Sequence, residues 1–143
     1  MKTSSNVIKL ELKGNVIFVG PIGCGKTMSV KNMISNLNDV LIIDPHREYC
    51  SFESEYDNVR ILELNPKNDF TSVIELKDDD IQLAKEYKYV VIDEVLNLEK
   101  EQLVSLLDVL SETKTIVIMT SQDAKIASEL ESYFSHIIYS KPK

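Results

Sequence analysis

Apolar residues form short runs along this chain, with polar segments between them. Unbroken runs rich in β-branched residues indicate buried strands over residues 15–19, 40–44, 89–94 and 115–120, and a last strand is predicted over residues 135–139. The run at 59–64 alternates apolar and polar positions, which indicates a more peripheral strand. Residues 7–13 alternate between apolar and polar from position 8 onward, which predicts an additional N-terminal edge strand. A turn at Gly14 and Asn15 then leads into the strand at 15–19.

Helical spacing of apolar residues recurs between the strands. It predicts two helices with one clear apolar face each. The first face is formed by Val30, Met33, Ile34 and Leu37, and the second by Leu103, Leu106, Leu107 and Leu110. Shorter helices are predicted over 81–87, after the acidic run 78–80, and through 126–130. Strands that alternate with helices predict an α/β fold: a mostly parallel sheet with helices on both faces, in a single domain spanning residues 1–143.

Composition narrows the class of protein. The chain is 43% hydrophobic and 27% charged, which is typical of a soluble globular domain. Its start lacks the apolar region of a signal peptide, and no apolar run is long enough for a transmembrane segment. Two cysteines do not form a disulfide framework, so we expect reduced thiols and a cytoplasmic location. The net charge of −7 disfavours a generally basic nucleic-acid-binding surface but permits a local basic track.

One stretch carries a specific motif between the strand at 15–19 and the helix that follows. It matches G-x-x-x-x-G-K-[ST] at each fixed position and reads Gly20, Pro21, Ile22, Gly23, Cys24, Gly25, Lys26, Thr27. Such a loop wraps a polyphosphate with backbone N–H groups, and the helix presents its positive end to the same anion. We expect Lys26 to reach the β- and γ-phosphates, Thr27 to bind Mg²⁺ and Met28 to complete the nucleotide-binding segment.

A second motif ends the strand at 89–94. Asp93 and Glu94 follow four apolar-rich positions, as in the Walker B pattern, and parallel strands deliver such residues to the ligand-binding edge of the sheet. We expect Asp93 to orient Mg²⁺ and Glu94 to act as the general base. Gln122, with Thr120 and Ser121, ends a later strand and is the candidate sensor of the γ-phosphate or the attacking water.

The absence of certain residue types from the sequence narrows the class of phosphate-loop protein to which the chain could belong. No glycine follows Gly25, which excludes the D-x-x-G switch of GTPases and the glycine-bearing signature of transporter-type ATPases. Only Arg47 and Arg60 exist, and both precede Asp93, which disfavours the arginine-bearing lid of small-molecule kinases. The Glu beside Asp93 points instead to ATPases with an additional strand and a catalytic glutamate.

Two further segments resemble the FtsK/HerA superfamily. Residues 43–49 resemble the D-P-H-G-E-Y segment of HerA-type ATPases, with Arg47 in place of glycine, and residues 116–138 resemble the superfamily's strand–Thr-Gln–helix–strand ending. The resemblance covers about residues 16–139. It implies a RecA-like core that hydrolyses ATP with Mg²⁺ in a homo-oligomeric ring and moves double-stranded DNA. The short chain favours viral genome packaging in the host cytoplasm, with a portal, membrane or other anchoring protein as a partner.

The resemblance also implies that a neighbouring subunit supplies an arginine to the site. Arg47 and Arg60 are the candidates, with Lys114 and Lys125 as weaker substitutes because an ammonium lacks the guanidinium fork. Two alternatives remain open at this stage. One is an accessory module that uses ATP occupancy to switch assembly with a partner, and the other is a small-molecule kinase. The chain could also be the ATPase domain of a longer protein.

Overall fold

The computed structural model describes residues 14–20, 26–43, 59–62, 76–93 and 100–139. The strands in these ranges are β1 (Val16–Val19), β2 (Val40–Ile43), β3 (Val59–Leu62), β4 (Tyr89–Ile92), β5 (Ile116–Ser121) and β6 (His136–Tyr139). The helices are α1 (Lys26–Ile34), α2 (Asp78–Ala84), α3 (Lys100–Ser111) and α4 (Ala124–Glu129), with a 3₁₀ turn at Glu131–Tyr133. None of the described helices is long and apolar enough to cross a membrane.

The described strands form a six-stranded sheet in the order β3-β2-β4-β5-β1-β6. All neighbouring pairs are parallel, which confirms the predicted α/β fold with its parallel sheet. β5, the strand that leads to Gln122, lies between β1 and β4. β3 is an edge strand, as its alternating pattern predicted. The single-domain extent of 1–143 stays a prediction.

One face of the sheet packs against three helices. Because neighbouring residues of a strand point to opposite faces, each central strand supplies alternate side chains to this layer. The helices add apolar side chains to this layer. Among them are the four leucines that were predicted to form the apolar face of α3, and all four are buried. The layer is centred on Ile17, Leu41, Val90, Ile92, Val117 and Met119 from the sheet, Ala84 from α2, and Ala127 from α4.

The other face packs against α1. Val30 and Ile34 of α1 are fully buried there, and Met33 and Leu37 are partly buried beside them. The intervening strand residues complete this second layer: Val16, Phe18, Val40, Ile42, Val91 and Ile118. Both faces of the sheet are therefore covered, which explains why the central strands are continuously apolar rather than alternating.

Several boundaries differ from the sequence prediction. α1 ends at Ile34 rather than reaching Leu37, and its last turn tightens with Leu37 N–H donating to Ile34 O at 3.0 Å. The helix through 126–130 begins earlier than predicted, at Ala124, and ends at Glu129, where it passes into the 3₁₀ turn that the apolar spacing did not indicate. β6, the predicted last strand, is an edge strand with exposed Ile138 and Tyr139. The predicted strand at 7–13 lies outside the described residues.

Asn15 ties the amino ends of three strands together. Its Oδ1 accepts a hydrogen bond from Val117 N–H at 2.8 Å, and its Nδ2 donates to Tyr133 O at 2.9 Å. Its backbone carbonyl accepts from Ser135 N–H at 2.9 Å. One side chain thus joins β1 to β5 and to the segment that enters β6.

Candidate functional site

Three strand ends meet at the carboxyl rim of the sheet. β1 leads into Gly20, β4 into Asp93, and β5 into Gln122. The register pairs Val19 with Ser121 across β1 and β5, and Ile92 with Met119 across β4 and β5. Because the strands are parallel and adjacent, Gly20, Asp93 and Gln122 lie on the same rim, where ligands bind in open α/β sheets.

Asp93 is completely buried at the end of β4. Its backbone N–H donates to Ile43 O of β2 at 3.2 Å, and its Oδ1 accepts a hydrogen bond from the Thr120 hydroxyl at 2.9 Å. Thr120 is also completely buried. The alternation along β5 puts Thr120 on the same face as Ile118, which is the face that α1 covers. The acid therefore lies on the side of the sheet from which α1, with Lys26 and Thr27 as its first residues, begins.

The end of β5 contacts the first glycine of the phosphate-loop motif. Gly20 N–H donates to Ser121 O at 3.1 Å. The Ser121 hydroxyl then accepts from Asp123 N–H at 3.0 Å, and Asp123 Oδ1 caps α4 by accepting from Lys125 N–H at 2.9 Å. Gln122 is half-buried inside this turn. Hydrogen bonds hold the backbone on both sides of Gln122, because Ser121 is bonded to Gly20 and Asp123 caps α4.

The structure describes only part of the predicted site. Gly20, Asp93 and Gln122 come together, and Lys26 and Thr27 open α1. Met28, which we expected in the nucleotide-binding segment, is 61% exposed on α1. Pro21, Ile22, Gly23, Cys24, Gly25 and Glu94 lie outside the described residues.

Thr120 contributes more to the site than the sequence analysis assigned to it. The sequence named it only as a companion of Gln122, whereas the structure makes it the hydrogen-bond donor to Asp93. The signal that could have revealed this role is a hydroxyl inside a strand that is otherwise apolar up to Met119. A buried hydroxyl needs a partner, and the sequence did not show which one.

Of the four cations that could serve a neighbouring subunit, three are described. Arg60 is exposed on the edge strand β3, two strands away from β4. Lys114 is exposed in the turn that precedes β5, at the rim opposite Asp93, and Lys125 is exposed on α4 at the same rim as Asp93. Arg47 lies outside the described residues.

The donor set at the carboxyl rim fits a hard divalent cation. Asp93 supplies a buried carboxylate, and the neighbouring side chain of β5 is a hydroxyl. Mg²⁺ is usually held by one or two carboxylates together with substrate phosphates rather than by an all-protein cage. The described residues hold no group of three or more His, Cys, Asp or Glu side chains arranged for a metal ion.

Comparison with known proteins assigns the chain to a family. The model of one protein family, described as the central domain of the helicase HerA, matches residues 19–141. The chain belongs to this HerA central-domain family. It is a P-loop ATPase domain with a RecA-like core, as its motifs predicted. No curated protein sequence matches the chain at a significant level.

Solved structures with the same fold include two P-loop ATPases. A variant of Thermotoga maritima RuvB superposes with a TM-score of 0.52 at 17% identity, over 88% of this chain. C. elegans PCH-2 superposes with a TM-score of 0.51 at 18% identity, over 94% of this chain. The HerA-type domain spans only 37% of the length of each of these chains. At these identities the likeness concerns the fold alone.

Proposed function

We propose that this HerA-type domain hydrolyses ATP with Mg²⁺ and uses the energy to move double-stranded DNA, as in viral genome packaging. The observation that carries the hydrolysis proposal is the convergence of Gly20, Asp93 and Gln122 at one rim. A phosphate-binding loop and a buried carboxylate must face the same polyphosphate for this chemistry.

Each proposed site residue has a distinct role. The backbone of residues 20–28 and the Lys26 ammonium neutralise the β- and γ-phosphates. Thr27 and Asp93 hold the Mg²⁺, which when bound neutralises charge on the phosphate oxygens. Glu94 accepts a proton from the attacking water, whose oxygen bonds to the γ-phosphorus as the bond to ADP breaks. Gln122 donates a hydrogen bond to the γ-phosphate or to that water.

The motor part of the proposal rests on the family to which the chain belongs. Ring ATPases complete such a site with a cation from the next subunit, so we propose a homo-oligomeric ring in the cytoplasm, anchored to a portal, membrane or other partner. Arg60 is the favoured donor among the described cations, because it is exposed at a sheet edge and carries a guanidinium fork. The net charge of −7 requires that DNA follow a local basic track.

Glu94→Gln tests the hydrolysis mechanism. Removing the base should lower turnover by about 100-fold or more, while magnesium–ATP still binds because the phosphate loop is intact. Glu101→Gln is the matched control, since Glu101 is an exposed residue on α3. Wild-type turnover in Glu94→Gln would reject the base assignment.

DNA-stimulated hydrolysis tests the motor proposal separately. The steady-state ATPase rate of the complete assembly should rise with double-stranded DNA, and Arg60→Ala subunits should regain activity when mixed with Glu94→Gln subunits. An unchanged rate with DNA would remove the translocation proposal and leave hydrolysis in place. Failure of the mixed assembly to regain activity would remove Arg60 as the residue supplied by a neighbour.

A second function, a module in which ATP occupancy switches assembly with a partner, is favoured by the acidic balance of the chain. It predicts ATP binding with negligible turnover in the wild-type protein. The same steady-state assay therefore separates the two functions. Phosphoryl transfer to a nucleoside or sugar, which would indicate a small-molecule kinase, is not expected.

A further inference from the structure

Among the described residues, Thr120 and Asp93 form a hydrogen bond at the carboxyl rim in which both side chains are buried. Both residues are 0% exposed, and the distance from Thr120 Oγ1 to Asp93 Oδ1 is 2.9 Å. The two residues belong to neighbouring strands, β5 and β4, whose register places Met119 level with Ile92. Asp93 is thus level with Thr120, and their side chains lie on the same face of the sheet.

A hydroxyl at this position is not required by the packing of β5. The preceding residues Val117, Ile118 and Met119 are fully buried and apolar, and valine has nearly the same shape as threonine. Burying a hydroxyl is unfavourable unless it is hydrogen-bonded, so apolar packing alone would favour valine. The hydrogen bond to the carboxylate of Asp93 is a contact that Thr120 makes and valine could not.

The backbone around the pair is fixed on both sides. Asp93 N–H is bonded to Ile43 O, and the residue after Thr120, Ser121, accepts from Gly20 N–H. With the main chain held in this way, the freedom that remains to Asp93 is rotation of its side chain. A hydrogen bond to one carboxylate oxygen restricts that rotation.

We propose that Thr120 is a positioning residue for the metal site: its hydroxyl holds the Asp93 carboxylate in the orientation that binds the magnesium of magnesium–ATP. This inference rests on the proposed role of Asp93 in holding Mg²⁺. Partners of metal ligands orient the ligand before the metal arrives, and their loss typically lowers metal affinity or activity by about 10–100-fold. Thr120 itself does not touch the substrate in this proposal.

The test measures the gain in nucleotide affinity that Mg²⁺ provides, with a fluorescent ATP analogue titrated in the presence of Mg²⁺ or of EDTA. Thr120→Val should lower the affinity measured with Mg²⁺ by about 10–100-fold and leave the affinity in EDTA unchanged. Thr120→Ser keeps the hydroxyl and should retain most of the gain in nucleotide affinity that Mg²⁺ provides. Asp93→Asn, the reference variant, should lose the gain almost entirely.

The outcomes separate this inference from the proposed function. If Asp93→Asn loses the magnesium gain while Thr120→Val keeps it, Asp93 is supported and the positioning role of Thr120 is overturned. If Asp93→Asn keeps the gain, the assignment of Asp93 to the metal fails, and the inference fails with it. Equal losses with and without Mg²⁺ in Thr120→Val would mark a merely structural role and would overturn the inference.

A folding control accompanies the titrations. Thermal unfolding of each variant establishes that the domain is folded at the assay temperature. If Thr120→Val does not fold, Thr120→Cys takes its place, since a thiol of similar size is a weaker donor. The expected result is then a smaller loss of the magnesium gain, and a gain equal to that of the wild type would overturn the proposal.

Discussion

The two rims of the sheet use their polar side chains in different ways. At the amino rim, Asn15 joins β1, β5 and the entry to β6, and Thr115 Oγ1 donates to Tyr87 O at 2.7 Å. At the carboxyl rim, the polar residues Thr120 and Asp93 bond to each other, and Gln122 follows in a turn beside Gly20. The first rim uses polar groups to connect elements, whereas the second gathers them around one acid. We infer that the polar side chains of the amino rim stabilise the fold, whereas those of the carboxyl rim serve the proposed ATP hydrolysis.

Among the variants that compare the two rims, Gln122→Ala should have the largest effect. Gln122→Ala removes the amide donor that we propose for the γ-phosphate or the attacking water, and loss of one such donor costs about 100-fold in turnover. The unfolding midpoint should change little, because the turn is held by Ser121 and Asp123. Steady-state kinetics and urea unfolding measure the two effects. Gln122→Glu keeps the size and removes the donor; full activity in it would contradict the role.

Asn15→Ala should give the opposite result at the amino rim. It removes the hydrogen bonds to Val117 N–H and Tyr133 O, and the loss of stability should be about 2 kcal/mol. Urea unfolding measures it, and KM for ATP at a temperature where the variant is folded should match the wild type. Asn15→Asp keeps the acceptor for Val117 N–H and should be less destabilised. A change in KM without a change in stability would erase the distinction between the rims.

Gly14→Ala should destabilise the domain through a clash at the same rim. Gly14 has a φ of 155°, and a Cβ there would lie 2.2 Å from Ser135 Oγ and 2.8 Å from Ser135 Cβ. Relieving this overlap should cost about 1–2 kcal/mol, measured as a lower urea midpoint. The double variant with Ser135→Gly removes both clashing atoms and should recover part of the loss. No recovery would assign the effect to the backbone of Gly14 instead.

The smallest effect is expected from Lys100→Ala, which removes an ion pair between α3 and α4. Lys100 Nζ lies 2.6 Å from Glu129 Oε2, and this hydrogen bond lowers the pKa of the Glu129 carboxyl below its usual value. A lowered pKa in the folded state means that the pair contributes stability above the pKa of an unfolded glutamate and loses it in acid. The variant should be slightly less stable than the wild type at neutral pH, and the difference should vanish as pH falls through the carboxyl's pKa. Both side chains are partly exposed, so added salt should also shrink it.

The types of element followed from the sequence because periodicity is a local property. The leucines of α3 and the continuous runs of β1, β2 and β4 each indicate their own structure within a few residues. Edge positions were harder to predict. β6 has the composition of a buried strand, yet Ile138 and Tyr139 are exposed, because a strand's burial depends on whether a neighbour covers it.

For the site, the motifs identify the residues of the phosphate loop and the acid pair. Because parallel strands end at one edge, the motifs also predict the rim of the sheet to which their strands lead. Which polar side chains pair with each other is visible only in the folded sheet. Thr120 and Asp93 are 27 residues apart, and Asn15 reaches Val117 across 102 residues. Such pairs depend on strand order and register, which are set by packing of the whole sheet and leave no periodic trace in any one segment.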